Sequence, residues 1–122
     1  VLKVKHILVV GHYGCGGVRA AIESQGDALI DHWLTPIREV AHNHQHELAG
    51  IDDDTQRFDR LCELNVIAQA RNVALTPIVQ NAWREGQPLT IHGWVYSIAN
   101  GLVTDQGVSM ANFEDRQRIF DI

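Results

Sequence analysis

From His6 to Gly11 the residues HILVVG form a short, nearly continuous apolar run, rich in β-branched side chains and stopped by glycine. Such a run suits a strand buried on both faces, as in a parallel sheet. A tight turn follows in Gly14 to Arg19, and Val18 to Ser24 can open a helix. After Leu29, the positions Ile30, Trp33, Leu34, Ile37, Val40 and Ala41 recur at helical spacing. Pro36 interrupts them, and either kinks one helix or begins a second one capped by Thr35. Asp52-Asp53-Asp54 reads as the cap of another helix, with Phe58, Leu61, Cys62, Leu64 and Ile67 on its apolar face. Thr76-Pro77 predicts a cap and a first-turn proline, and Gly86 closes the helix through Ile78, Val79, Ala82 and Trp83. Leu89 to Ile98 reads as a strand, Asn100-Gly101 as a hairpin turn, and Leu102 to Asp105 as the antiparallel return. The charged tail from Asn112 is expected to be helical, with Phe113, Ile119 and Phe120 free to dock.

The pattern predicts an α/β chain: a mostly parallel sheet flanked by helices, without repeats, linkers or an internal domain boundary across 1–122. Two or three strands make an uncomfortable sheet alone, so part of the domain is expected to lie elsewhere. The start at Val1-Leu2-Lys3, which runs almost at once into a strand, reads as an internal position of a longer chain.

Composition narrows the partners. Apolar residues make up 45% and charged residues 20% of the 122 residues, an ordinary globular balance. A net charge of −5 without a Lys/Arg cluster argues against nucleic acid. The longest apolar run, Ile7 to Val10, is too short to span a membrane. Two cysteines, Cys15 and Cys62, are too few for a disulfide framework, so a cytoplasmic setting is the expectation.

The chemistry concentrates in Gly11-His12-Tyr13-Gly14-Cys15-Gly16-Gly17-Val18-Arg19, at the end of the first strand, where open α/β sheets place their sites. Its glycines permit a sharp turn and close approach of a ligand. His12 and Cys15, with two residues between them, offer imidazole and thiolate at a workable spacing for one tetrahedral zinc. A helix starting just after Cys15 would favour the thiolate. Gly11 to Gly16 has P-loop spacing, but Gly17-Val18 stands where Lys and Ser/Thr are needed. A GxGxxG pattern begun at Gly14 fails at Arg19, and Arg19 stands too close to Cys15 for a cysteine phosphatase loop. Metal binding or a bare thiolate nucleophile remains.

GHYGCGGV after an apolar strand resembles the HxxCGG zinc motif of β-class carbonic anhydrases. LIDHWLTPIR (29–38), LCELNV (61–66), IVQNAWREG (78–86), LTIHGWVY (89–96) and GLVTDQGV (101–108) resemble bacterial members in the same order. The resemblance implies that the chain is the C-terminal portion of such a fold. It implies that His12 and Cys15 bind Zn²⁺ and that the Gly16 amide faces the substrate. The function implied is reversible hydration of CO₂ to bicarbonate, in a homodimer or homotetramer. The family's second Cys and its Asp/Arg pair come from an upstream CxDSR motif that this sequence lacks, so these 122 residues alone are expected to be inactive. Tyr96 matches the Tyr of a regulatory bicarbonate site found in some members.

Plainer readings apply elsewhere. Cys62 is expected to be a small buried residue, and His42, His44 and His46 a solvated helix face. The three aspartates lack the glycine and terminal Glu of a calcium loop. Trp33, Trp83 and Trp94 read as packing or subunit contacts, and Tyr96 as core. Two functional rivals stand beside the enzyme: an inactive zinc- or bicarbonate-binding or structural relative, and a thiolate enzyme using Cys15 with His12 as base.

Overall fold

The computed structural model describes residues 3–23 and 28–120. Strand β1 (His6–His12) is followed by five helices: α1 (Gly16–Glu23), α2 (Ala28–Asn43), α3 (Gln45–Ala49), α4 (Asp54–Ala74) and α5 (Pro77–Arg84). Strands β2 (Thr90–Tyr96) and β3 (Val103–Asp105) and helix α6 (Phe113–Phe120) complete the order. The sheet runs β1-β2-β3. β1 and β2 are parallel, from His6 opposite Thr90 to His12 opposite Tyr96, whereas β3 returns antiparallel with Asp105 opposite Trp94. Joining parallel neighbours requires a crossover, and α1 to α5 provide it.

Helix α4 organises the interior. On one side it packs on the sheet face of Ile7, Val9, Ile91 and Val95, in a core that includes Ala70, Ala74, Val79, Trp83 and Met110. Trp83 donates its indole N–H to Leu89 O at 2.9 Å and meets Phe113 edge-on, its ring centroid 5.6 Å away. On the other side Phe58, Leu61, Cys62 and Leu64 join Val18 of α1, Val40 of α2 and Leu48 of α3 in a second core. The tail docks as expected through Phe113 and Ile119; the side chain of Phe120, like Ser24 and Val1-Leu2, lies outside the described residues. No helix among the described residues is long and apolar enough to cross a membrane.

Several expectations change. β1 buries one face, not two: Leu8 and Val10 are 47% and 52% exposed, because period-two alternation turns them away from α4. Tyr96, expected in the core, lies on that same open face at 38% exposure. Helix α2 continues through Pro36. Thr35 caps nothing, and its hydroxyl donates back to Asp31 O at 3.1 Å. Thr76 has the extended backbone of an N-cap, yet its hydroxyl donates to Val73 O at 2.8 Å, so it closes α4 instead of capping α5. Capping would need the hydroxyl oxygen to accept from a first-turn amide of α5, and with the hydroxyl turned towards Val73 O it accepts from none. Asn100-Gly101 sits in a longer connection: Ser97 N–H donates to Leu102 O at 2.9 Å, enclosing 98–101, with Gly101 at φ +70°. Trp83 does pack in the core as expected, whereas Trp33 is 79% exposed. His42 and His46 do not share one helix face, since α2 ends at Asn43 and His46 lies in α3.

The aspartate run does cap α4, through Asp53, whose carboxylate accepts from Gln56 N–H at 2.9 Å. Asp53→Ala is expected to destabilise the chain by about 1 kcal/mol. A lowered urea midpoint at unchanged m-value would show it.

Candidate metal centre

The site is assembled where β1 gives way to α1. His12 is the last residue of β1, and Tyr13 N–H extends the pairing by donating to Tyr96 O at 3.1 Å. Gly14 turns the chain with φ +68°, a conformation that disfavours other residues. Cys15 then starts the helix: its carbonyl accepts from Arg19 N–H at 3.1 Å. His12 and Cys15 are both partly buried and flank this single turn.

The imidazole is oriented from within. His12 Nδ1 lies 2.8 Å from Tyr13 O. A carbonyl can only accept, so Nδ1 carries the proton of the neutral ring and the Nε2 lone pair is left for a ligand. Gly16, the first residue of α1, is exposed, and a Cβ there would meet nothing within 4 Å. The first amides of a helix have no partner within it, so the Gly16 amide is suited to face a small ligand.

Helix α4 holds the turn from behind. The Tyr13 hydroxyl donates to Glu63 Oε2 at 2.5 Å, and Glu63 Oε1 accepts from Arg60 Nη1 at 3.2 Å. Cys62 is 2% exposed, as expected of a core residue. Burial pushes its thiol pKa up, while the nearby backbone amides of Cys15 and Gly14 pull the other way. Sequence reasoning missed Tyr13 and Glu63. They stand fifty positions apart, and no local pattern links them.

Burial first, then the bond to Glu63 and its charge, push the Tyr13 phenol from its ordinary 10.0 up to about 12. A raised folded pKa means that the native chain holds a proton the unfolded chain has released, so this contribution to stability is complete below pH 10.0 and is lost towards about 12. Metal-free chain is therefore expected to lose stability over that window more steeply than its Tyr13→Phe variant. Urea unfolding of both at stepped pH checks it; parallel curves would refute it.

Among the described residues no group of three or more His, Cys, Asp or Glu side chains is placed to hold a metal ion. The turn offers two donors, His12 and Cys15. Tyr96 is the register partner of His12, so the open sheet face brings the two strand ends together.

A family model described as carbonic anhydrase matches residues 1–103. The chain belongs to the carbonic anhydrase family. It is 43% identical to a carbonic anhydrase of Emericella nidulans over an alignment of 122 positions that covers 99% of this chain and 54% of that protein. A Coccomyxa β-carbonic anhydrase, solved in complex with acetazolamide, superposes with a TM-score of 0.89 at 40% identity, covering 96% of this chain and 53% of that one. A tetrameric β-carbonic anhydrase of Sordaria macrospora gives 0.82 at 35% identity, covering 90% and 56%. The fold is thus that of β-carbonic anhydrases, and the chain spans about half the length of these relatives.

Proposed function

We propose that the protein carries out zinc-dependent reversible hydration of CO₂ to bicarbonate, with His12 Nε2 and the Cys15 thiolate holding the metal. The observation that carries this reading is the His12 Nδ1–Tyr13 O bond at 2.8 Å, which leaves Nε2 free beside a cysteine on the same turn. Imidazole and thiolate are the donors that suit zinc, and two of them on a glycine-rich turn supply half of a tetrahedral set. Zinc, when bound, brings the pKa of a coordinated water to about 7, which supplies a nucleophile at neutral pH. The chain's own residues fix its position: β1 presents His12, the turn just before α1 presents Cys15, and the Gly16 amide directs a hydrogen bond at the substrate. In the net reaction CO₂ and water give bicarbonate and a proton.

With only two donors, the 122 residues alone would hold zinc weakly and hydrate CO₂ to no useful extent. The remaining ligands would come from the rest of the protein. The open sheet face and the exposed Leu29, Ile30 and Trp33 of α2 support assembly into a homo-oligomer. Tyr96, beside His12, is the residue we assign to a regulatory bicarbonate.

The test uses the protein expressed at the full length its gene encodes. About one zinc per protomer, with CO₂ hydration that is lost on chelation and restored by zinc, would support the reading. Zinc without hydration would favour an inactive binding relative. Alkylation of Cys15 at a rate indifferent to zinc would favour a thiolate enzyme.

A further inference from the structure

The turn bearing His12 and Cys15 is anchored to α4 by a directed chain of polar contacts. Arg60 spans two carboxylates: Nε and Nη2 lie 3.2 and 3.3 Å from Glu47, and Nη1 lies 3.2 Å from Glu63 Oε1. Glu63 Oε2 accepts the Tyr13 hydroxyl at 2.5 Å, shorter than the usual hydroxyl–oxygen bond and within the charge-assisted range. Tyr13 then acts at both ends. Its ring is fixed by Glu63, and its backbone carbonyl receives His12 Nδ1–H at 2.8 Å. One position before Glu63, Cys62 belongs to the second core, against which Tyr13 and Cys15 pack. Tyr13 and Cys15, on either side of Gly14, are thus both held against α4.

A turn containing a left-handed glycine needs such restraint if two donors are to converge on one ion. Outer partners of metal ligands commonly set ring orientation and tautomer. We infer that Glu63 is a positioning residue for the metal donors, acting through Tyr13: it anchors the phenol so that the Tyr13 carbonyl holds the His12 ring with Nε2 towards the ion. The inference deepens the reading of His12 and Cys15 as ligands and rests on it. Arg60 supports the arrangement by occupying the other Glu63 oxygen, which leaves Oε2 directed at Tyr13.

The experiment measures zinc affinity by competition with a chromophoric chelator, and the visible spectrum of the Co²⁺-substituted form, on the full-length protein. Glu63→Ala and Tyr13→Phe are each expected to weaken zinc binding about 10–100-fold and to shift the Co²⁺ bands, which report coordination geometry. The double variant should be no weaker than either single one, because both remove the same bond. Glu63→Gln, which keeps an acceptor oxygen, should retain most of the affinity. Tyr13→Phe tests the bond from its other end should Glu63→Ala fold poorly. Unchanged affinity and spectrum in Tyr13→Phe, or losses that add in the double variant, would overturn the inference, provided Cys15→Ser abolishes binding. If Cys15→Ser leaves zinc binding intact, the ligand reading itself has failed and the inference falls with it.

Discussion

Cys15→Ser is expected to strip zinc from the full-length protein and to lower CO₂ hydration by more than the roughly 10–100-fold that loss of an outer-shell partner costs. Zinc is borderline-soft and takes cysteine as thiolate. A serine hydroxyl in the same place stays protonated and donates poorly to such an ion. The fold should survive, because Cys15 lies at the edge of the second core, partly exposed, and the exchange removes almost no volume. Metal-free Cys15→Ser should therefore unfold within about 0.5 kcal/mol of the parent, the usual range for substitutions outside the core. Cys62→Ser should behave in the opposite way. Its side chain is 2% exposed among Leu61, Leu64 and Phe58, so the added hydroxyl is desolvated, at a cost of about 1–3 kcal/mol, while zinc stoichiometry is kept. The paired measurement is metal content by mass spectrometry and urea unfolding of the apoproteins. Zinc retained at full stoichiometry in Cys15→Ser would remove that residue from the ligand set.

The contrast between the two cysteines was already legible in the sequence, and it shows which signals travel well. Cys15 stands in a glycine-rich stretch beside a histidine, whereas Cys62 stands on an apolar helical repeat; both readings depend only on near neighbours in the chain. The helices and the β1 run were legible for the same reason. What failed depended on partners distant in sequence or on competition within a turn. HILVVG has the composition of a strand covered on both faces, yet composition cannot say that α4 covers only one. Thr76 is a sound cap by type, but its hydroxyl is turned back to donate to Val73 O and accepts from no amide of α5. His42 and His46 had helical spacing, but α2 ends between them. The anchoring of Tyr13 by Glu63 left no trace in any periodicity, since each residue is unremarkable in its own segment. Candidate ligands could thus be read directly, while the groups that orient them required the tertiary structure.

One such tertiary constraint ties the site to the core and leads to the second large effect, at Gly11. An ideal Cβ built on Gly11 would stand 2.5 Å from Val66 Cγ2, closer than real side chains approach. Val66 also approaches the position of a Cβ on Gly93 to 3.3 Å, so it occupies a notch formed by glycines on β1 and β2. Valine in a helix has essentially one χ1 rotamer, so it cannot swing clear cheaply. Gly11→Ala must instead push α4 away from the sheet, and overpacking of this kind costs about 1–3 kcal/mol. Because Gly11 precedes His12, the displaced strand end should also misplace the imidazole, and zinc affinity should fall with stability. Val66→Ala alone leaves the notch partly empty and destabilises the chain by lost packing. Combined with Gly11→Ala it makes room for the new methyl group. The double variant is therefore expected to be more stable than the sum of the two losses predicts, by an interaction energy of about 0.5–3 kcal/mol. Urea unfolding of the metal-free parent, single and double variants measures this directly. Strictly additive losses would mean that Val66 does not fill the notch and that another contact sets the spacing between α4 and the strand that ends in His12.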